Sequence, residues 1–380
     1  MHEGNETKSA PPIEAFFFLK TKFENAGDAL INHQLIRIVS QTVPVTVEAS
    51  LAPEHFIQNM QLENVQGVEI SRRGLAYLAI TMLKRRARGI RPVLFLMPGG
   101  NSGEKSRKLF WLNEAYTGFL AFLRMLGINI VSVGASYENL GVRYQRIIRH
   151  RLKLASKVIV RDQISAGELA KAGVTIDGIL PDLAFGLDFA CKEGPNSLVS
   201  QPTGMIAFSF RTDEPYYSTA KIKQMISKIL ADFPEAPIKF VAQVESDIPF
   251  MKELYAFHSP LHHAPVSFVD ITASLSEFRD KAYGDVTVLF SNRLHALLLG
   301  LAAGSIPVAC LHQGYDQKIR GVFDMCGLSN CIADIDTSNL QKLYYDDFQV
   351  SSDAIASIKG ASSLLTTGIT DILYELQNEK

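Results

Sequence analysis

The sequence predicts an α/β fold: two successive Rossmann-like, doubly wound domains closed by a long C-terminal helix. Three observations carry that prediction. Short apolar runs rich in Val, Ile and Phe alternate with amphipathic stretches along the chain, the pattern of parallel strands joined by helices. The 380 residues, 47% hydrophobic and 20% charged, supply material for two cores rather than one. Around 190–204 the segment ACKEGPNSLVSQPTG turns polar and rich in Gly, Pro and Ser, and the alternation restarts beyond it. The expected division is an N-terminal domain at 12–190, a C-terminal domain at 200–350 and a closing helix at 351–380.

Taken in order, IEAFFFLK (13–20) reads as a buried first strand, and the polar loop TKFENAGDA leads into a helix at 28–40. VPVTVEA (43–49) is a second strand, 74–88 a basic amphipathic helix, and RPVLFLMP (91–98) a third strand ending in the glycine-containing loop GGNSGEKSRK. A helix at 113–126, strand INIVSVG (128–134), a helix near 142–154, strand KVIVRD and helix ISAGELAKAG complete the first half. The second half reads as strand 204–211, helix 218–233, strand 238–245, helix 248–257 and strand 266–270. Helix 272–282, strand 286–290, helix 292–303, strand 306–311 and a helix around 318–326 follow, and 351–378 forms the closing helix.

A formal net charge of −1 argues against a whole-protein attraction to nucleic acid or anionic lipid. The local basic run KRRARGIR (84–91) reads as a solvated helix end and as the candidate surface for any membrane contact. Cys191, Cys310, Cys326 and Cys331 lack metal-ligand spacing and form no paired framework, which fits a reducing compartment. The polar start MHEGNETKSAPP is unlike a secretory signal, and no apolar run reaches spanning length. A cytoplasmic protein without metal or cofactor is expected, with peripheral contact at the inner membrane face if its substrate is lipid-linked.

In open parallel sheets, ligands sit beyond the carboxyl ends of strands. The polar clusters of this chain fall there. Ser291 follows VTVLF directly and suits a helix N-cap, which places Arg293 and His295 in the first turn of an otherwise apolar helix. Exposed amides, the positive dipole end and a guanidinium make that turn an anion site. Residues two apart on a regular helix point to nearly opposite sides, so either the turn is irregular or only one faces the cleft. The alternative is a core histidine with Arg293 in an ion pair stapling the domains.

ENAGDAL (24–30) is the matching junction of the first half, with Asn25 at its head. Gly27 permits close chain approach, and Asp28 serves as a cap or touches substrate. Gly99, Gly100 and Asn101 form a second backbone-permissive loop. Arg211 ends the first strand of the second half, Lys318 and Arg320 follow the strand after Arg293, and Arg161 pairs locally with Asp162 or serves the cleft. Arg211, Arg293, Lys318 and Arg320 together point to a small, multiply anionic ligand.

NAGDALI, PGGNSG, VIVRDQISAGELAKAGV, PDLAF and SNRLHALLLGLAAGSIPVA followed by YDQKIRG resemble, in order and spacing, the polysaccharide pyruvyl transferase family over residues 20–328. The resemblance implies a GT-B-like arrangement of the two domains, the acceptor on the N-terminal side and phosphoenolpyruvate on the C-terminal side. It implies transfer of the enolpyruvyl group onto two hydroxyls of a sugar as a ketal, in exopolysaccharide or cell-surface polysaccharide biosynthesis. His295 maps to the catalytic acid; Arg293 and Arg211 map to donor binding, with Lys318 and Ser291 as further donor-side candidates. Asn25, Gly27, Asp28, Gly99, Gly100 and Asn101 are candidate substrate contacts. The partners expected are phosphoenolpyruvate and a sugar acceptor, either a polysaccharide repeat unit or a lipid-linked precursor. The same architecture also suits a nucleotide-sugar glycosyltransferase or a non-catalytic glycan-binding protein.

Overall fold

The computed structural model describes residues 11–190, 204–212, 217–271, 275–312, 315–335 and 348–378. Most of the expected linker, 191–203, lies outside them.

The first half is built from β1 (Ile13–Phe18), α1 (Ala26–Ser40), β2 (Val45–Glu48), α2 (Glu54–Met60), β3 (Val68–Ser71), α3 (Leu75–Ala87) and β4 (Arg91–Leu96). It continues through β5 (Gly100–Gly103), α4 (Arg107–Met125), β6 (Asn129–Leu140), α5 (Val142–Leu152), β7 (Lys157–Val160), α6 (Gln163–Lys171) and β8 (Gly178–Ile179). Its parallel sheet runs β3-β2-β1-β4-β6-β7-β8, with β5 paired to β6 off that path. Every residue of β1 is buried, as a central strand covered on both faces requires, and Phe17 stacks on Phe95 of β4 at 5.1 Å between ring centroids.

The second half comprises β9 (Met205–Ser209), α7 (Thr219–Asp232), β10 (Ile238–Ala242), α8 (Ile248–His258), β11 (Val266–Asp270) and α9 (Leu275–Tyr283). Then come β12 (Val286–Ser291), α10 (Leu294–Ala302), β13 (Ile306–Leu311), α11 (Gln317–Met325) and β14 (Ile332–Asp334). Its sheet, also parallel, runs β11-β10-β9-β12-β13-β14 around Phe208, whose ring lies 5.6 Å from that of Phe240 and 5.8 Å from that of Phe290.

In each sheet the strand order reverses once, between β1 and β4 and between β9 and β12. Loops leaving the two strands at such a switch point diverge to opposite faces and leave a crevice. The fold therefore nominates two crevices: one floored by the segments after Phe18 and Leu96, the other by the segments after Ser209 and Ser291.

The two halves share one continuous apolar core. The segment before α1 makes an antiparallel bridge from Asn25 to Val244, with Ala26 N–H donating to Gln243 O at 3.3 Å and Glu245 N–H to Glu24 O at 3.1 Å. The final helix, α12 (Ser352–Asn378), returns to the first domain. There Arg91 donates to Leu376 O at 2.7 Å, and Lys157 pairs with Glu375 at 2.6 Å.

The expected glycine loop after the third strand is partly a strand. β6 outruns its partner β4, and at Gly134, with φ +75°, its register against β7 shifts. A Cβ there would stand 2.7 Å from Leu183 Cγ, so only glycine fits the bulge. Beyond the bulge the freed edge of β6 takes β5 as its partner, Gly100 opposite Ser136.

Candidate functional site

The site is assembled where the N-termini of α1 and α10 meet across the two domains. β12 delivers the chain to α10, but Ser291 is not the cap. It is fully buried, and its Oγ donates to Ser209 O at 2.6 Å while accepting from Arg293 N–H at 3.0 Å. Arg293 itself holds the N-cap position in extended conformation, φ −115° and ψ 118°. The irregularity resolves the question of direction: Arg293 precedes the helical turn, His295 lies within it, and both escape the buried face.

The Arg293 guanidinium pairs with Asp247, a buried residue of its own domain. Next to it, Asn292 clasps the switch point. Its Oδ1 accepts from Arg211 N–H at 2.8 Å and its Nδ2 donates to Arg211 O at 3.0 Å, tying the exits of β9 and β12 together. Arg211 is thus adjacent to Arg293, with its guanidinium 3.9 Å from Asp316 Oδ1. Asp316 sits in the left-handed region at φ 54°, tolerable for aspartate, and accepts from Tyr217 Oη at 2.6 Å.

His295 faces the N-terminal domain. A Cβ on Gly27 would lie 2.9 Å from His295 Cγ and closer still to Nδ1, so the imidazole rests on bare backbone in the first turn of α1. On its other edge Nε2 is 3.6 Å from Asp182 Oδ1. Asp182 is 1% exposed, is bonded by Arg161 at 2.7 Å, and accepts from Ala184 N–H at 2.9 Å. Burial alone would raise its pKa. The Arg161 guanidinium, then the nearby His295 and the Ala184 amide, outweigh burial and hold the carboxyl well below the usual carboxylate range. Arg161 also reaches Asp162 at 3.3 Å, so it pairs locally and serves the cleft at once.

Lys318 crosses the domain boundary to Glu138 of β6, Nζ to Oε2 2.6 Å. Burial lowers its pKa, against the opposing pull of Glu138. Arg320 donates to His312 O at 3.1 Å. Of the cations expected on this side, Arg211, Arg293 and Lys318 are therefore already matched by carboxylates. Those carboxylates were invisible in the sequence pattern because they sit 46 residues from Arg293 and in another domain from Lys318.

At the head of α1, Asn25 is the cap, accepting from Gly27 N–H at 2.9 Å. Asp28 reaches back instead, accepting from Thr21 Oγ1 at 2.8 Å, Lys22 N–H at 3.2 Å and Asn25 Nδ2 at 3.0 Å, which fixes the β1–α1 loop. This loop walls a cavity of about 270 Å³ at the β1/β4 switch point, lined by Lys20, Lys22, Asp28, Gly99, Gly100, Asn101, Asn113, Tyr116, Tyr137 and Arg151 among others. Asn101 is held by Tyr144 Oη and donates to Gly99 O at 3.2 Å. Burial pushes the Tyr137 phenol up to about 12, so it remains a neutral hydroxyl. Cavity and imidazole are one residue apart along α1: Asp28 lines the former and Gly27 touches the latter.

Asp182, Asn292, Asp247 and Glu138 are the functional candidates that pattern reading missed. The only available signal was PDLAF, where a buried aspartate precedes an apolar turn; nothing local tied it to His295. Among the described residues no cluster of three or more His, Cys, Asp or Glu has the geometry of a metal site, and Cys310, Cys326 and Cys331 are buried.

The model of the family described as Polysaccharide pyruvyl transferase matches residues 25–311. No curated protein matches the chain. Solved structures show the same fold at low identity. The UDP-GlcNAc 2-epimerase of Neisseria meningitidis superposes with a TM-score of 0.51 and 10% identity, over 95% of this chain and 100% of the other. An α,α-trehalose-phosphate synthase (UDP-forming) from Burkholderia vietnamiensis gives 0.52 and 9%, over 96% and 100%. A trehalose-6-phosphate synthase gives 0.57 and 9%, over 97% and 99%. These are GT-B enzymes, and the two-domain architecture described here is theirs.

Proposed function

Because the chain belongs to the polysaccharide pyruvyl transferase family, and is a transferase with a pyruvyl donor and a sugar or polysaccharide acceptor, we propose that its donor is phosphoenolpyruvate and its product a cyclic ketal. His295 protonates the methylene carbon of the donor. The oxocarbenium-like carbon so formed is attacked by one sugar hydroxyl, whose proton is released. A second hydroxyl then displaces inorganic phosphate and closes the ketal. The observation that carries this reading is the placement of His295: an imidazole seated on Gly27, 3.6 Å from Asp182, and two residues beyond Arg293, whose neighbour Asn292 holds the Arg211 backbone. A positioned acid of this kind contributes about 10²–10⁴ in rate.

The donor carries a carboxylate and a phosphate. In this reading they displace carboxylates that already hold the cations: Lys318 leaves Glu138, and Arg293 and Arg211 share their charge between Asp247, Asp316 and the ligand. Ser291 acts through Arg293, since its own hydroxyl is committed to Ser209 O and the Arg293 amide. The acceptor belongs in the N-terminal cavity, next to Gly27, where Gly99, Gly100 and Asn101 form the wall.

Peripheral membrane contact, as part of the same reading, is better supported at the start of α4 than at 84–91. In the latter run Arg85 pairs with Glu14 at 2.9 Å and Arg86 donates to Gly127 O at 3.0 Å. Leu109, Trp111 and Leu112 are 48%, 64% and 57% exposed beside the exposed Arg107 and Lys108. Among the described residues no helix is long and apolar enough to cross a membrane. The reaction is tested by phosphate release from phosphoenolpyruvate across a panel of sugar acceptors, with mass spectrometry of the product. Release of a nucleoside diphosphate from a sugar nucleotide, without consumption of phosphoenolpyruvate, would support glycosyl transfer instead.

A further inference from the structure

The N-terminal cavity has an electrostatic imbalance that a neutral sugar leaves unexplained. Lys20, Lys22 and Arg151 line it, and among the described residues none of the three forms an ion pair. Its one lining carboxylate, Asp28, spends its oxygens on Thr21, the Lys22 amide and Asn25. The cations are also crowded. Lys20 Nζ lies 4.9 Å and the Arg151 guanidinium 5.1 Å from the centre of one ring, Tyr116. Loss of water contact and then the charge of Arg151 lower the Lys20 pKa, although the residue as a whole is exposed. Arg151 donates to Asn113 Oδ1 at 2.9 Å, leaving a buried Nε–H without a partner among the described residues. A fourth cation nearby, Lys105, stacks on Tyr144 at 4.0 Å, and its pKa is lowered by burial and then by Lys22.

Holding like charges around one aromatic ring is unfavourable until an anion joins them. In the other crevice every cation named at the donor site has a carboxylate, so the two crevices differ in kind. We propose that the N-terminal cavity recognises an anionic group carried by the acceptor, a phosphate or a carboxylate, through Lys20 and Arg151, with Lys22 at the rim. The inference rests on the pyruvyl-transfer reading for its choice of acceptor, but not for the anion site itself. An acceptor anchored there by its charge presents its sugar ring toward Asn113, Asn101 and Tyr137, with hydroxyls directed past Asp28 to His295.

The test reads the cavity locally and needs neither the true acceptor nor the donor. The full chain is acylated with a lysine-directed reagent, with and without inorganic phosphate at matched ionic strength, and peptides carrying Lys20 and Lys84 are quantified. Phosphate is expected to slow labelling of Lys20 several-fold while the exposed Lys84 is unaffected, and Arg151→Gln is expected to abolish that protection. Lys20 labelling that is indifferent to phosphate in the unmodified chain, or protection that survives R151Q, overturns the proposal. Competition then separates the sources. A hexose 1-phosphate restoring protection at lower concentration than a hexuronate assigns phosphate, and the reverse assigns carboxylate. A methyl hexoside as effective as either overturns the anionic reading. Phosphoenolpyruvate turnover is measured separately, so loss of protection with turnover intact condemns this inference alone, and protection without turnover condemns pyruvyl transfer alone.

Discussion

The imidazole of His295, carried by the C-terminal domain, lies against the bare Cα of Gly27 in the N-terminal domain. That contact sets how closely the two helix N-termini approach, and it places the ring one residue along α1 from the N-terminal cavity. Gly27→Ala puts a methyl group where the ring stands, with Cγ and Cβ of His295 as well as Nδ1 inside contact distance. The ring or the domains must move. Steady-state kinetics should show kcat lowered about 10²-fold, the cost of a misplacement near 1 Å. The melting temperature should change much less than for a core substitution, because the site faces the cleft.

In the proposed reaction Asp182 positions His295. Asp182→Asn keeps the shape but removes the charge that Arg161 and His295 share. It should lower kcat by about 10²–10³ with little effect on the KM for phosphoenolpyruvate, and should shift the alkaline limb of the pH–rate profile to lower pH, because the imidazolium loses a neighbouring negative charge. A purely structural role would instead lower the amount of folded enzyme without moving that profile.

Lys318 and Glu138 make opposite predictions, although they are partners in one interdomain ion pair. If the lysine exchanges its partner for the donor, Lys318→Gln weakens phosphoenolpyruvate binding roughly tenfold, the worth of one charge-assisted hydrogen bond. Glu138→Gln removes the competitor and should tighten binding by a few-fold. Calorimetric titration distinguishes this from a structural staple, for which both variants would weaken binding together.

Stability should carry a pH signature from His258, far from the cleft. It is buried against Phe240, and burial, then Lys223 and His262, bring its pKa down from 6.5 to about 4. The unfolded chain binds this proton more readily than the fold between those values. The contribution is therefore fully present above pH 6.5 and is lost as pH falls toward 4. Denaturant midpoints should fall across that window, and His258→Gln should fall less steeply.

The alternation of strand and helix was legible because each central strand is buried on both faces and so reads as an apolar run. α2, β3 and β14 escaped notice for the converse reason: they are short, peripheral and only partly buried. β5 escaped because Gly-Asn-Ser-Gly has no strand character of its own and pairs only where Gly134 bends β6 away. At the site, the cation-bearing junctions could be read from strand ends, but their charges could not be balanced. Asp247, Asp182 and Glu138 meet Arg293, His295 and Lys318 only in three dimensions. Lys20 and Arg151, which lack carboxylate partners among the described residues, drew no attention because one lies just past β1 and the other among the basic residues of α5.

The most direct measurement is a crystal structure of the chain with phosphoenolpyruvate. It should place the donor's methylene carbon within reach of the His295 imidazole. Carboxylate and phosphate should engage Arg293, Arg211 and Lys318, with Glu138 released. A donor seated elsewhere, or one whose methylene carbon points away from His295 while Lys318 stays on Glu138, would contradict the assignment of this interdomain junction as the seat of pyruvyl transfer.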